Sequence, residues 1–255
     1  MTPPIKKFLT ELLQVEVYPT RRQMGEAAGK AAVRAISHAV GKQGSARVIF
    51  AAAPSQNEML ATLAADQTVD WPKVTAFHMD EYIGLSPDAP QRFSRYLKSH
   101  LFDRAPFASV HFLGWQSPEH ECDHYAKLLA EKPIDIVCLG IGENGHLAFN
   151  DPPVADFDDP VLVKMVVLDN VCRQQQVNDG CFPDIDAVPK NAVTLTIPAL
   201  MSAGTLICTV PGKTKHAAVQ KTLRDVISTN CPSTILRRHN DCTLFLDVDS
   251  FGEMF

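Results

Sequence analysis

The sequence predicts an α/β protein built on a doubly wound, largely parallel sheet with helices on both faces. Three observations point there. Continuous apolar, β-rich runs recur along the chain, as strands buried on both faces require. Amphipathic stretches of helical period lie between several of them. The chain also has 255 residues, 45% of them hydrophobic, enough to bury one sizeable core. A single domain over residues 1–255 is the expectation.

The first helix is expected between Thr20, a residue type that caps helix N-termini, and Gly41, a residue type that stops them. Met24, Ala28, Ala31, Ala35, Ile36 and Ala39 give it one apolar face of small side chains that can lie close against a sheet. Strands are expected at Val48 to Ala53, Val74 to Phe77, Ile134 to Ile141, Val163 to Leu168, Ala192 to Ile197, Thr205 to Val210 and Thr243 to Val248. Helical stretches are expected at Asn57 to Ala65, Arg92 to Phe102, Pro118 to Glu131 and Lys213 to Val226. Sheets of this kind bind ligands beyond the carboxyl ends of their strands, so chemistry is sought just after each run.

Composition excludes several function classes. The net charge is −5 and no run of Lys or Arg exists, which argues against nucleic acid and anionic membranes as partners. Seven cysteines form no C-x-x-C pair, and their odd number fits a reducing compartment, so a cytoplasmic location is expected. The N-terminus has no signal-peptide core, and no apolar run reaches membrane-spanning length.

Two motifs match catalytic patterns without their context. Gly140-Ile-Gly142-Glu-Asn-Gly145 reads as G-x-G-x-x-G, yet Pro152 and Pro153 arrive within about two helical turns, too soon for a helix under a pyrophosphate. His120-Glu121-Cys122-Asp123-His124 reads as H-E-x-x-H, with Glu143 downstream as a third zinc ligand. It nevertheless opens a helix after Pro118 among acidic residues, the composition of a solvated first turn. No dinucleotide cofactor and no metal are expected.

His78-Met79-Asp80-Glu81-Tyr82 closes the strand that begins at Val74. Successive strand side chains face opposite ways, so one of Asp80 and Glu81 acts and the other supports. Gly140 to Pro152 leaves a later strand at the same edge. There His146 supplies an imidazole, a side chain suited to passing a proton, and Asp151 stands where it could orient the ring.

Met79-Asp-Glu-Tyr-x-Gly-Leu85 followed by Gly145-His-Leu-Ala-Phe-Asn-Asp-Pro152, with Asp186 to Thr194 and Pro211 to Lys215, resembles the glucosamine-6-phosphate deaminase/isomerase family over nearly the whole chain. That family shares its fold, a Rossmann-type sandwich, with 6-phosphogluconolactonase, and Phe149-Asn150-Asp151-Pro152 resembles the deaminase branch. The resemblance implies an enzyme of amino sugar metabolism that needs no cofactor and takes a small sugar phosphate. Asp80 would move a proton between C2 and C1, and His146 would assist ring opening. Asn144 and Asp151 stand where the family commonly has Asp and Glu around that histidine. A lactone hydrolase and a non-catalytic sugar-phosphate-binding protein on the same scaffold are the alternatives, and a homo-oligomer is compatible with the sequence.

The phosphate-binding residues are where the chain departs most. The family loop Thr-Gly-Gly-Thr-Pro is replaced by Ser55-Gln56-Asn57-Glu58, whose first three residues are expected to contact substrate. A Glu58 carboxylate about 5 Å from a phosphate would oppose binding by roughly 3 kcal/mol per unit charge at an effective dielectric of about 20. Glu58 therefore points away, or the ligand is not held there as a phosphate, or it presents an amine. Lys215 matches the family's phosphate lysine. The family arginine aligns with Gln176, and Arg173, three residues earlier, is expected to take its place from the same helix face.

Overall fold

The computed structural model describes residues 2–114 and 117–252. The chain order is β1 (Lys6–Thr10), β2 (Leu13–Tyr18), α1 (Arg21–Gln43), β3 (Ala46–Phe50), α2 (Asn57–Ala65), β4 (Val74–His78), β5 (Asp80–Tyr82), α3 (Phe93–His100), β6 (Ser109–His111) and α4 (Pro118–Ala130). It continues with β7 (Ile136–Leu139), β8 (Val163–Val167), α5 (Asn170–Asn178), β9 (Asn191–Leu195), α6 (Ile197–Met201), β10 (Thr205–Val210), α7 (His216–Arg224), β11 (Cys242–Asp247) and α8 (Val248–Phe251).

Eight strands form the main sheet in the order β1-β2-β11-β10-β7-β3-β4-β6, and only β1 runs antiparallel to its neighbour. Alternation along the strands sends side chains to two apolar layers. On β7, Val137 and Leu139 pack on one face with Tyr125 and Leu129 of α4 and Val219 of α7. Ile136 and Cys138 pack on the other with Met24, Ala28 and Ile36 of α1. The fold is the expected α/β sandwich. From β3 the chain builds outward through β4 to β6, then returns to the other side of β3 with β7 and proceeds to β10 and β11. The reversal between β3 and β7 is the place where such sheets open a crevice at their carboxyl ends.

Two expected strands belong elsewhere. Val163 to Leu168 and Ala192 to Ile197 form β8 and β9 of a separate three-stranded sheet, ordered β5-β9-β8 and antiparallel throughout. On β8, Val163 packs into one apolar layer and Val166 into the other, while Met165 and Val167 are exposed, so the strand lacks the continuous burial of a central one. The strands β1, β2 and β6 were not expected, and Asp80 to Tyr82, read as the close of the strand from Val74, instead leave the main sheet and form β5 of the smaller one. Leu13, Val15 and Val17 alternate with Gln14 and Glu16, so β2 lacks the continuous apolar run of a central strand.

Helix α1 starts as expected, with the Thr20 hydroxyl accepting from the Gln23 amide, but it runs past Gly41 to a left-handed cap at Gly44. Gly25 lets α2 approach closely: a Cβ there would stand 2.3 Å from Cβ of Glu58. Among the described residues no helix is long and apolar enough to cross a membrane.

Candidate functional site

The crevice predicted by topology is a cleft at the carboxyl ends of β3, β4, β7 and β10. Its lining includes Ala51 to Gln56 after β3, Met79 and Asp80 after β4, Gly140 to Gly142 after β7, and Pro211 to Lys215 after β10. His146, Ala148 and Phe149 close one wall, and Gln175, Gln176 and Asp179 from α5 and its end close another.

Asp80 and Glu81 divide as strand alternation requires. Asp80 faces the cleft, held where β5 pairs with β9 opposite Thr194. It is 7% exposed, and burial, with the Glu81 charge beside it, pushes its carboxyl well above the ordinary range. Glu81 turns inward. It accepts from the first amides of α3, Phe93 at 3.2 Å and Ser94 at 3.0 Å, and from the Ser94 hydroxyl at 2.7 Å. Its carboxylate also pairs with Arg92 at 3.3 Å and lies 3.8 Å from His78. Burial alone would raise its pKa, but the His78, Arg92 and Ser94 contacts win and hold it at about 2.

The loop after β7 builds the second half of the chemistry. The His146 ring lies directly over Gly142, where a Cβ would stand 2.2 Å from the ring carbon Cε1. Here the glycine serves ring packing instead of a pyrophosphate, and no helix begins between Gly145 and α5. His146 Nδ1 is 2.9 Å from Asp151 Oδ1, a close contact off the linear hydrogen-bond direction. Asn144 fixes the pair from behind: its amide donates to Asp151 Oδ1 at 2.9 Å, and its carbonyl accepts from the His146 backbone at 3.0 Å. Although burial opposes it, His146 and Asn144 keep the Asp151 carboxyl below its ordinary value. Asn150 and Phe149 stitch the loop to β9 through the Leu195 carbonyl and the Thr194 hydroxyl. Ala148 takes a left-handed backbone, φ 49°, in the cleft wall.

Among the described residues, the His146, Asp151 and Cys172 ligand atoms form the only His/Cys/Asp/Glu group close enough to hold a metal, within 4.8 Å of one another. Cys172 stays a thiol, because burial and then Asp151 raise its pKa well above the usual value. His120 and His124 are exposed on the first turns of α4 and join no such group.

At the other end of the cleft, Gln56 spends its amide on the Thr209 hydroxyl, which donates to it at 2.8 Å, and on Ser55 Oγ at 3.0 Å. Arg21 pairs with Glu58 at 2.8 Å and donates to the Pro54 carbonyl. Lys215 lines the cleft, and burial lowers its pKa although Asp179 and Glu143 pull it back up.

The sequence pattern of the glucosamine-6-phosphate isomerase/6-phosphogluconolactonase family matches residues 19–245. The chain belongs to this family. A glucosamine-6-phosphate deaminase of Lactobacillus delbrueckii subsp. bulgaricus is 31% identical over 221 residues, covering 86% of this chain and 92% of the relative. One of Exiguobacterium sibiricum is 35% identical over 184 residues, 71% of each chain. Among solved structures, a monomeric glucosamine-6-phosphate deaminase of the NagB superfamily superposes with a TM-score of 0.83 at 27% identity, covering 92% of this chain and 98% of that one. A 6-phosphogluconolactonase from Shewanella baltica superposes with a TM-score of 0.75 at 18% identity, covering 96% and 99%, which shows the shared fold.

Against the family expectations, the structure brings Asp80, His146, Ser55, Gln56 and Lys215 to one cleft, with Asn144 and Asp151 directly behind His146. Two expected contact residues lie outside it. Asn57 turns away to accept from the Tyr96 hydroxyl. Arg173 is drawn from α5 into the 185–188 loop, donating to the Val188 carbonyl at 2.9 Å and to the Ile185 carbonyl. Gln176 faces the cleft instead, so the two residues diverge despite their spacing. Of the alternatives open for Glu58, the one found is that it points away from the ligand space, toward Arg21. Sequence reasoning missed Arg21, Gln175 and Asp179 as lining residues. Arg21 follows β2, which ends at the same sheet edge as β3 and β4, so recognising β2 would have found it.

Proposed function

We propose that this chain isomerises and deaminates an amino sugar phosphate, glucosamine 6-phosphate or a close relative, to the ketose phosphate and ammonia. The observation that carries the reading is the convergence of Asp80 and the His146–Asp151 pair on one cleft, with the Asp80 carboxyl pushed up by burial. His146, held by Asp151, exchanges a proton with the ring oxygen and opens the sugar. Asp80 takes the C2 proton and returns it to C1, so the C2–H bond breaks, a C1–H bond forms and the amine becomes a C2 imine. Water adds at C2 and ammonia leaves, and no oxidant or reductant enters. A buried carboxylate is a stronger base once ionised, and positioned proton transfer of this kind contributes about 10²- to 10⁴-fold. The homologous glucosamine-6-phosphate deaminases support the substrate class. Incubating the protein with glucosamine 6-phosphate in heavy water should place solvent deuterium at C1 of the ketose product and release one ammonia per turnover. Recovery of unlabelled, unconverted sugar would exclude the reading.

A further inference from the structure

Two largely buried polar side chains of the cleft lining, at its distal end, have no hydrogen-bond or ion-pair partner among the described residues, although Asp179 and Glu143 act on Lys215 from a distance. Lys215 is 6% exposed and Gln176 8%, both line the cleft, and neither side chain makes a hydrogen bond or ion pair. With their stems buried and their polar ends open to the cleft, both groups are placed to meet a ligand. The charge of this end is low. Arg21, the other cation of the lining, is tied to Glu58 and the Pro54 carbonyl. Asp179, three residues beyond Gln176, brings a carboxylate to the same lining and accepts from Gln175 Nε2 at 3.3 Å. Gln176 also stands where the family resemblance places an arginine.

A dianionic phosphate therefore meets one available ammonium, a neutral amide and an acid of its own sign. A C6 hydroxyl meets groups that suit it, because the Gln176 amide donates and accepts and the Asp179 carboxylate accepts. We propose that Gln176 and Asp179 set the specificity of this end, so that the enzyme accepts the unphosphorylated amino sugar alongside its 6-phosphate. The proposal rests on the deamination reading: amino sugar plus water gives ketose plus ammonia, with the C2–N bond broken and a C2 carbonyl formed, whether or not C6 carries phosphate.

The test is the ratio of kcat/KM for ammonia release from glucosamine 6-phosphate and from glucosamine. A site built to pair a charged group rejects the analogue lacking it by about 10⁴-fold or more, so a ratio below about 10³ is expected here and a larger one overturns the proposal. Gln176→Arg and the isosteric Asp179→Asn should each raise the ratio about tenfold, chiefly through KM for the phosphorylated sugar. If Gln176→Arg does not fold, Asp179→Asn decides, and an unchanged or lower ratio removes these residues from specificity. If neither sugar releases ammonia from the wild-type enzyme, the reaction reading falls, and the ratio of calorimetric Kd values for the two sugars decides the specificity in its place.

Discussion

The two ends of the cleft are built on opposite terms. At the proton-transfer end the acting groups are backed by fixed neighbours: Asn144 holds Asp151, Asp151 meets His146, Gly142 seats the imidazole ring, and Glu81 caps α3 beneath Asp80. At the distal end Lys215 and Gln176 make no side-chain hydrogen bond or ion pair among the described residues, and their polar ends open into the cleft. The difference teaches where each kind of energy is placed. The chemistry end is pre-organised so that little reorientation is needed as charge develops, whereas the recognition end is left incomplete so that the ligand supplies the missing contacts.

The largest expected effect breaks the first end. Asp80→Asn should lower deuterium exchange at C2 by about 10³-fold while ligand affinity stays within about tenfold, because the base acts mainly in the transition state. In the wild type the base works only when ionised. Since burial raises its pKa, kcat/KM should fall, as pH is lowered, at a pH above the ordinary carboxylate range. Unchanged exchange in the variant, or an acid limb near pH 4, would move the base elsewhere.

Next in size is the support beneath that end. Removing one partner of a buried ion pair typically costs about 3–5 kcal/mol, so Glu81→Ala should lose that much in urea unfolding. The sign with pH follows from a folded pKa of about 2 against an ordinary 4.5. The Glu81 contribution is complete above about 4.5 and is lost as pH falls toward 2. Glu81→Ala should therefore flatten the acid limb of stability, and an unaltered limb would contradict the pairing.

The smallest effects sharpen the distal end. Lys215→Ala should cost a phosphorylated sugar about 1.5–3 kcal/mol in calorimetric titration. Its effect on the unphosphorylated parent should be smaller. Glu58→Thr should change phosphate affinity by less than about 0.5 kcal/mol, because its carboxylate is engaged with Arg21 at a partly exposed pair. Tightening by about 3 kcal/mol would instead mean that Glu58 faces the ligand.

These contrasts also mark what the sequence made legible. Strands β3, β4, β7 and β10 announce themselves as largely apolar runs, and the rule that chemistry follows their carboxyl ends leads to Asp80 after β4 and His146 after β7. The half-polar β2 does not announce itself, which hides Arg21. The antiparallel β8 and β9 read like central strands because apolarity in a short run does not say which sheet receives it. Arg173 and Gln176 share one helix, yet carbonyls of the 185–188 loop capture the arginine. That choice depends on contacts distant in sequence, which spacing within α5 does not encode.

Ala148 carries one more consequence. A side chain in the left-handed region costs about 1–2 kcal/mol, and glycine would remove that strain. The alanine methyl, however, belongs to a residue of the cleft wall, next to Phe149 and two residues from His146. Engineering for heat resistance would single out Ala148→Gly for its backbone and, in making it, would widen the space in which the sugar ring must be held. Robustness and grip are set against each other at this position, and the chain as it stands favours grip.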